Sequence, residues 1–463
     1  MKRLFVLMPM LPLALALPAC SMAPRYVRPA PPVPLSWPVG DAYLAQSEAI
    51  VPTVSYRDIF RDPRFQSLVE QALASNRDLR VAAADIAAAR AQVRVQRAQQ
   101  FPEVSLSASG QRDSGANSAP RSSYALDAGI TAFELDLFGR LASATDAERQ
   151  RALGTEAAAR TVRLALVSDL ANAWASHAAD AELLRIARDT AGNAARSVML
   201  TSARLKGGVA PRTDVRQAEL ILATAQADVA AQTTALAQDR NLIQLLVGAP
   251  FDAALLPQRL DEVTRSIAVL PPGTSSEVLL RRPDVVEAEY ALRAANAQIG
   301  VARAELFPRI SLTGLAGFAS DALGALFDAG AFHTTLGGGA SQAIFSAGGV
   351  RAGVAISKAQ RDAAVAGYEK AIQTAFREVA DALARQGTIA EELSASSLRL
   401  AASADTARLA DARYRGGVDS SLQNLDAQRS LYSAQQQDIA VRLAQVTNRV
   451  ALYRALGGDQ ASR

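Results

Sequence analysis

Along this chain the spacing of apolar positions switches from the helical period to a period of two, and it does so in two places. After Phe101-Pro102, Val104, Leu106 and Ala108 alternate with Ser105, Ser107 and Ser109. A polar stretch, QRDSGANSAPR at 111–121, reads as a loop. Leu126, Ala128, Ile130 and Ala132 then alternate with Asp127, Gly129 and Thr131, ending in ELDLFGR at 134–140. This predicts strands at about 103–113 and 123–138. The second occurrence predicts strands at about 308–318 and 332–345, with a loop near 319–331. Each is about the 9–11 residues that cross a bilayer as a tilted strand.

The remaining pattern is helical. Leu141 to Lys206 carries two glycines and no proline, so one helix over 141–206 would span about 100 Å. Val167, Leu170, Trp174, His177, Ala181 and Leu184 keep the four-three spacing of a helix seam. A partner helix follows at about 212–246. The pair recurs at about 348–413 and 421–456, so the hairpins cover 141–246 and 348–456.

The chain repeats itself. NRDLRVAAADIAAARAQVRVQRAQQFPEVSLSASG at 76–110 matches RPDVVEAEYALRAANAQIGVARAELFPRISLTGLA at 282–316 with an offset of 206. Asp78 falls on Asp284, Phe101-Pro102 on Phe307-Pro308, and Ser105-Leu106 on Ser311-Leu312. ARLKGGV at 203–209 matches ARYRGGV at 412–418. The period far exceeds that of a solenoid. We divide the chain into two copies, 56–249 and 276–463, joined by a proline-rich connector at 250–275.

Four strands cannot close a barrel, which takes about eight, and open edges are excluded from lipid. If these strands are in a membrane, several chains must share one barrel. Three chains would supply twelve strands, around a lumen lined by Ser, Thr, Asp and Gly.

The N-terminus fits that destination. Lys2-Arg3, an apolar run from Leu4 to Leu17 and a small residue before Cys20 form a secretory signal over 1–19. Two readings of Cys20 stand, an ordinary signal peptide with a chance cysteine or a lipobox with Cys20 as the lipidated first residue. A proline-rich stretch makes 20–55 an extended tether. With one cysteine the chain can form no internal disulfide. The net charge of +4 is dispersed, without the basic block of a nucleic-acid surface.

These features together resemble the TolC-like outer-membrane factors, specifically the lipidated branch that serves tripartite efflux pumps. The motifs that carry the resemblance are PRYVRP after Cys20, YRDIFRDPRFQSLVEQALASNRDL at 56–79, ELDLFGR, RRPDVVEAEYALRAANAQIGVARAELFPRISLTG at 281–314 and the two GGV turns. Tyr56 stands where the family often has tryptophan. The resemblance implies an α+β membrane protein. Long antiparallel helical hairpins would form an α-barrel, and four strands per chain would complete a 12-stranded β-barrel in a homotrimer. It also implies a lipid-anchored place in the outer membrane, a periplasmic adaptor, and an inner-membrane transporter of the resistance-nodulation-division class. The chain would be a passive duct for small toxic compounds. A duct for type I protein secretion and a pore-free periplasmic coiled-coil spacer are the alternatives.

The hairpin tips are the candidate sites. Lys206, Gly207, Gly208 and Val209, and Arg415, Gly416, Gly417 and Val418, each end one helix and begin the next. Glycine suits the left-handed cap and a cation suits the helix C-terminus. The resemblance adds that such tips form the periplasmic mouth and receive the adaptor. Asp419 is either a cap, alone or with Ser420, or a member of an acidic ring around the trimer axis. Arg413 and Tyr414 are candidates to bridge neighbouring hairpins, with Asp214 a further gate candidate. His177 reads as packing. His177, His333 and Cys20 make no zinc site, no stretch suggests a catalytic triad, and Gly337-Gly338-Gly339 lacks the lysine of a phosphate loop. We therefore expect no metal, no cofactor and no enzyme.

Overall fold

A computed structural model describes residues 21–43, 55–115, 118–270 and 275–458. Cys20 and the signal segment lie outside these residues. The elements run α1 (Tyr56–Ile59), α2 (Pro63–Ser75), α3 (Arg77–Ala98), β1 (Ser105–Gly115), β2 (Ser118–Leu135), α4 (Arg140–Lys206) and α5 (Arg212–Val247). They continue with α6 (Leu260–Ser266), α7 (Pro283–Ala304), β3 (Arg309–Ser320), β4 (Phe332–Ser341), α8 (Gly349–Arg415) and α9 (Ser421–Ala455).

Contacts divide the chain into two compact units that cut across the repeats. One comprises the described residues up to Ala30, with Ala84–Glu156 and Glu287–Glu369; the other comprises Pro31–Ala83, Ala157–Val286 and the described residues from Lys370 on. Each unit therefore draws on both copies. The reason is visible in the sheet, whose order is β1-β2-β3-β4: the hairpin of one copy pairs with the hairpin of the other.

All three pairings in the first unit are antiparallel. Ser105 lies opposite Gly129, Gly129 opposite Leu315, and Ser311 opposite Gly339. Successive residues point to opposite faces. One face carries Leu106, Leu126, Ile130, Leu312, Phe318 and Leu336; the other carries Ser107, Asp127, Thr131, Thr313 and His333. A bulge between Ile130 and Phe133 adds one residue to β2.

The expected loop at 111–121 is largely strand, because Gln111 pairs with Ser123 and Asp113 with Arg121. Backbone ladders continue where both faces are polar, but there the alternating signal vanishes. β2 stops at Leu135 and β4 at Ser341, short of the 138 and 345 expected.

In the same unit the N-terminal segment is pinned rather than free. Arg28 makes a bidentate pair with Glu289 at 3.0 and 2.6 Å, and Tyr26 Oη donates to Glu289 at 3.1 Å. The Arg293 guanidinium lies 4.9 Å from the centre of the Tyr26 ring. Asn296 and Arg303 donate to the carbonyls of Pro24 and Met22. A Cβ on Gly300 would fall 2.8 Å from the Ala23 nitrogen, so this close approach needs glycine.

In the second unit Phe60, Phe65, Trp174 and Tyr453 form the aromatic core, with ring centres 5.0 to 5.4 Å apart from Phe60 to Phe65, Phe60 to Tyr453 and Phe65 to Trp174. Each buried aromatic of this size contributes about 1.5–3 kcal/mol. The seam residues Val167, Leu170, Trp174, His177 and Leu184 are buried. The connector is less irregular than its prolines suggest. It holds α6, and its Leu255 and Pro257 carbonyls face Trp174 Nε1 (3.0 Å) and His177 Nδ1 (3.1 Å). A carbonyl only accepts, so His177 carries its proton on Nδ1. Arg282 is tied to Asp284, Glu378 and the Ala455 carbonyl at 2.7–3.0 Å. Residues 31–43 are pinned here too, with Trp37 buried 5.0 Å from Phe376 and Ser276 Oγ donating to the Pro34 carbonyl.

Candidate functional site: the hairpin tips and the sheet wall

The two tips share one backbone solution. Gly208 and Gly417 adopt φ of +75° and +73°, and Val209 and Val418 donate their N–H to the Arg204 and Arg413 carbonyls at 2.9 Å. This closes the orphan carbonyls of each long helix with a left-handed glycine. Lys206 and Arg415 stand in the last turns of α4 and α8, where a cation meets the negative helix end. Arg415 also pairs with Asp411 at 2.9 Å. Val209 and Val418 are exposed.

The side chains then separate the tips. At the second, Ser420 caps α9, its Oγ accepting from the Gln423 N–H. Asp419 instead takes both arms of Arg413, at 2.6 Å from Nε and 2.8 Å from Nη2. The Arg413 guanidinium beside it holds the Asp419 carboxyl below the usual carboxylate range. Arg413 is thereby committed within its own turn. Tyr414 is buried under Arg204, whose guanidinium lies 4.4 Å from the ring centre. At the first tip Pro211 occupies the cap position without a side-chain acceptor. Asp214 there lies half-buried in the first turn of α5, its N–H donating to the Pro211 carbonyl at 3.2 Å.

Behind the second tip a cavity of about 580 Å³ lies between α4, α8 and α9, with Tyr414, Arg415, Asn424 and Tyr432 among its lining. Tyr432 Oη donates to Asp228 at 2.7 Å, joining α9 to α5. Further along these helices, Arg442 sits between Glu182 (3.3 Å) and Asp438 (2.9 Å), both buried. The carboxyls of Asp180 and Asp239 face each other from α4 and α5. Burial is the main cause pushing both up, Asp239 to about 7. Sequence reasoning missed the Tyr432–Asp228, Arg442–Glu182 and Asp180–Asp239 pairs, because partners more than forty residues apart leave no local pattern.

On the polar face of the sheet, His333 Nε2 lies 3.1 Å from Asp127 Oδ1, across Gly317 on the strand between them. A Cβ on Gly317 would sit 2.2 Å from that oxygen. Among the described residues no cluster of histidine, cysteine or carboxylate could hold a metal ion, and no helix is long and apolar enough to cross a membrane.

Comparison with known proteins decides the family. The model for "Outer membrane efflux protein" matches residues 68–249 and 274–458. The chain belongs to this family. It is 42% identical over 455 residues to the toluene efflux pump outer membrane protein TtgC of Pseudomonas putida, covering 96% of this chain and 94% of that one. A membrane protein from Pseudomonas aeruginosa superposes with a TM-score of 0.87 at 37% identity, over 95% of this chain and 100% of that one. The open state of the Neisseria gonorrhoeae MtrE outer membrane channel gives 0.84 at 32%, over 95% and 98%. The chain is an outer-membrane protein with the architecture of this channel family. The two blocks of the family match coincide closely with the two sequence copies. They include both GGV turns and all four strands.

Proposed function

We propose that this chain is the passive exit duct of a tripartite efflux pump, working as a homotrimer lipid-anchored at Cys20. The observation that carries the reading is the four-stranded sheet, apolar on one face and polar on the other, with both edges open. Lipid excludes unpaired strand edges, and three copies close them into twelve strands. Family membership supports efflux over protein secretion. The name of the P. putida relative points to toluene-like apolar solvents as one substrate class for this chain as well. The GGV turns are the parts offered to a periplasmic adaptor, and an inner-membrane transporter of the resistance-nodulation-division class would supply the energy. Arg413, Tyr414, Asp419 and Asp214 would line or brace the mouth.

The test is single-channel recording of the purified lipidated protein in a planar bilayer, with its mass measured in detergent. Discrete current steps from a trimer are expected. A monomer without current would return the chain to a periplasmic spacer.

A further inference from the structure

A second cavity in the second unit, about 190 Å³, lies between the stretch that follows α6 and the helices α8 and α9. It is roughly 40 Å along α8 from Arg415, far from the tip. Leu270, Ile389 and Leu452 give it apolar walls, all three buried, and Asn448 and Arg449 are on its polar side. The walls are held in place. Gln386 Nε2 donates to the Leu270 carbonyl at 3.2 Å, and Asn448 Nδ2 to the Ala382 carbonyl at 3.1 Å.

Arg449 is half-buried. Its Nη1 donates to the carbonyls of Thr264 (2.7 Å) and Ile267 (3.0 Å), at the C-terminal end of α6. A cation at a helix C-terminus accounts for that corner of the guanidinium. It leaves the opposite edge, Nε with Nη2, without a hydrogen-bond partner among the described residues. No carboxylate among them pairs with the group either. Burial holds the Arg449 guanidinium below the ordinary arginine range, with no acidic neighbour to raise it.

Elsewhere in this protein the same edge takes carboxylates. Arg28, Arg64, Arg140, Arg282 and Arg413 each set Nε and Nη2 on the two oxygens of one Asp or Glu, at 2.6–3.2 Å. The planar fork matches a carboxylate. A partly desolvated cation without an anion is costly, so an anion brought to it gains more than at an exposed arginine. As for size, a protein cavity of about 150 Å³ holds benzene. This one therefore has room for a carboxylate that carries a ring or a branched chain.

We propose that the cavity binds a small organic monocarboxylate, its two oxygens on Nε and Nη2 of Arg449 and its apolar part against Leu270, Ile389 and Leu452. Such a ligand joins the stretch after α6 to α8 and α9, and its binding stabilises the second unit. The site does not depend on whether the chain conducts.

The probe is benzoate, titrated into the detergent-solubilised full-length protein and followed by calorimetry, with benzamide and acetate alongside. Benzamide keeps the shape without the charge; acetate keeps the charge without the ring. Saturable binding of one benzoate per chain is expected, at least about tenfold tighter than either analogue. Arg449→Gln should weaken it at least about tenfold. Arg429→Gln, at an exposed arginine, should leave it unchanged. Arg449→Gln also takes a donor from the end of α6, so Ala390→Phe is the second variant. It fills the cavity from an exposed position on α8, keeps Arg449, and should abolish binding. Circular dichroism verifies that each variant is folded. No saturable binding by the wild type, or binding that survives in either folded variant, overturns the proposal. Benzamide binding as tightly as benzoate overturns it too.

Discussion

Arg413 and Asp419 clasp each other across the Gly416-Gly417 turn through two hydrogen bonds, 2.6 and 2.8 Å long. The carboxylate that the sequence suggests as one member of an acidic ring thus has a cation of its own chain in front of it. Around a trimer axis such clasps would add no net charge. Arg413→Ala should therefore uncover three carboxylates and raise cation preference, while Asp419→Ala should uncover three guanidinium groups and lower it. Reversal potentials in a salt gradient measure both. Equal selectivity in the two variants would place the mouth elsewhere.

The same clasp sets a pH expectation. The Asp419 pKa is lowered, so the pair is complete above the ordinary carboxylate range and is lost as pH falls through the lowered value. Channel current should be flat from about pH 7.5 to about pH 5.5 and change only well below that range. A midpoint near neutrality would contradict it.

The Asp180–Asp239 pair predicts the opposite trend for stability. Both carboxyls are raised, Asp239 to about 7, so the folded protein holds a proton that the unfolded chain releases. Stability should rise as pH falls from about 8.5 to about 5.5, until the unfolded chain's carboxyls also protonate. Asp239→Asn should flatten that slope in thermal unfolding. An unchanged slope would show that the pair does not share a proton.

Gly317 separates Asp127 from His333 by having no side chain. Gly317→Val should cost about 1–3 kcal/mol through overpacking, read as a lower temperature for dissociation of the trimer. Gly337→Ala, whose added Cβ meets nothing within 4 Å, is the matched control and should be near neutral.

Arg282 is a heavily committed cation in the second unit, with two carboxylates and a carbonyl around a side chain that is 7% exposed. Arg282→Ala should cost about 1–3 kcal/mol, because it takes charge-assisted hydrogen bonds from two half-exposed carboxylates and a donor from the Ala455 carbonyl. Unfolding in denaturant checks it, and a loss under about 1 kcal/mol would mark the group as merely peripheral.

The periodic parts of this molecule were legible in the sequence, and the parts made by distant partners were not. Val167 to Leu184 announced a buried helix seam, and the GGV turns announced left-handed caps at Gly208 and Gly417. The polar rungs from Gln111 to Asp113 were hidden, since a strand wet on both faces has no alternating pattern. The Asp419 clasp was hidden too, although Arg413 lies only six residues away. Folding the turn brings them together, and a cap reading of Asp419 was equally consistent with the letters. Tyr26, Arg28 and Glu289 needed the tertiary fold, because more than 260 residues separate the two segments. The proline-rich stretch was legible as lacking helix and strand, but its anchoring was not.

The unlike caps at Pro211 and Ser420 carry one more consequence. A half-length ancestor with a single tip would have presented six identical turns to whatever docks there. In the proposed trimer, duplication would make them three of one kind and three of another, in alternation. One set can then drift toward latching while the other keeps a surface that its docking partner already recognises.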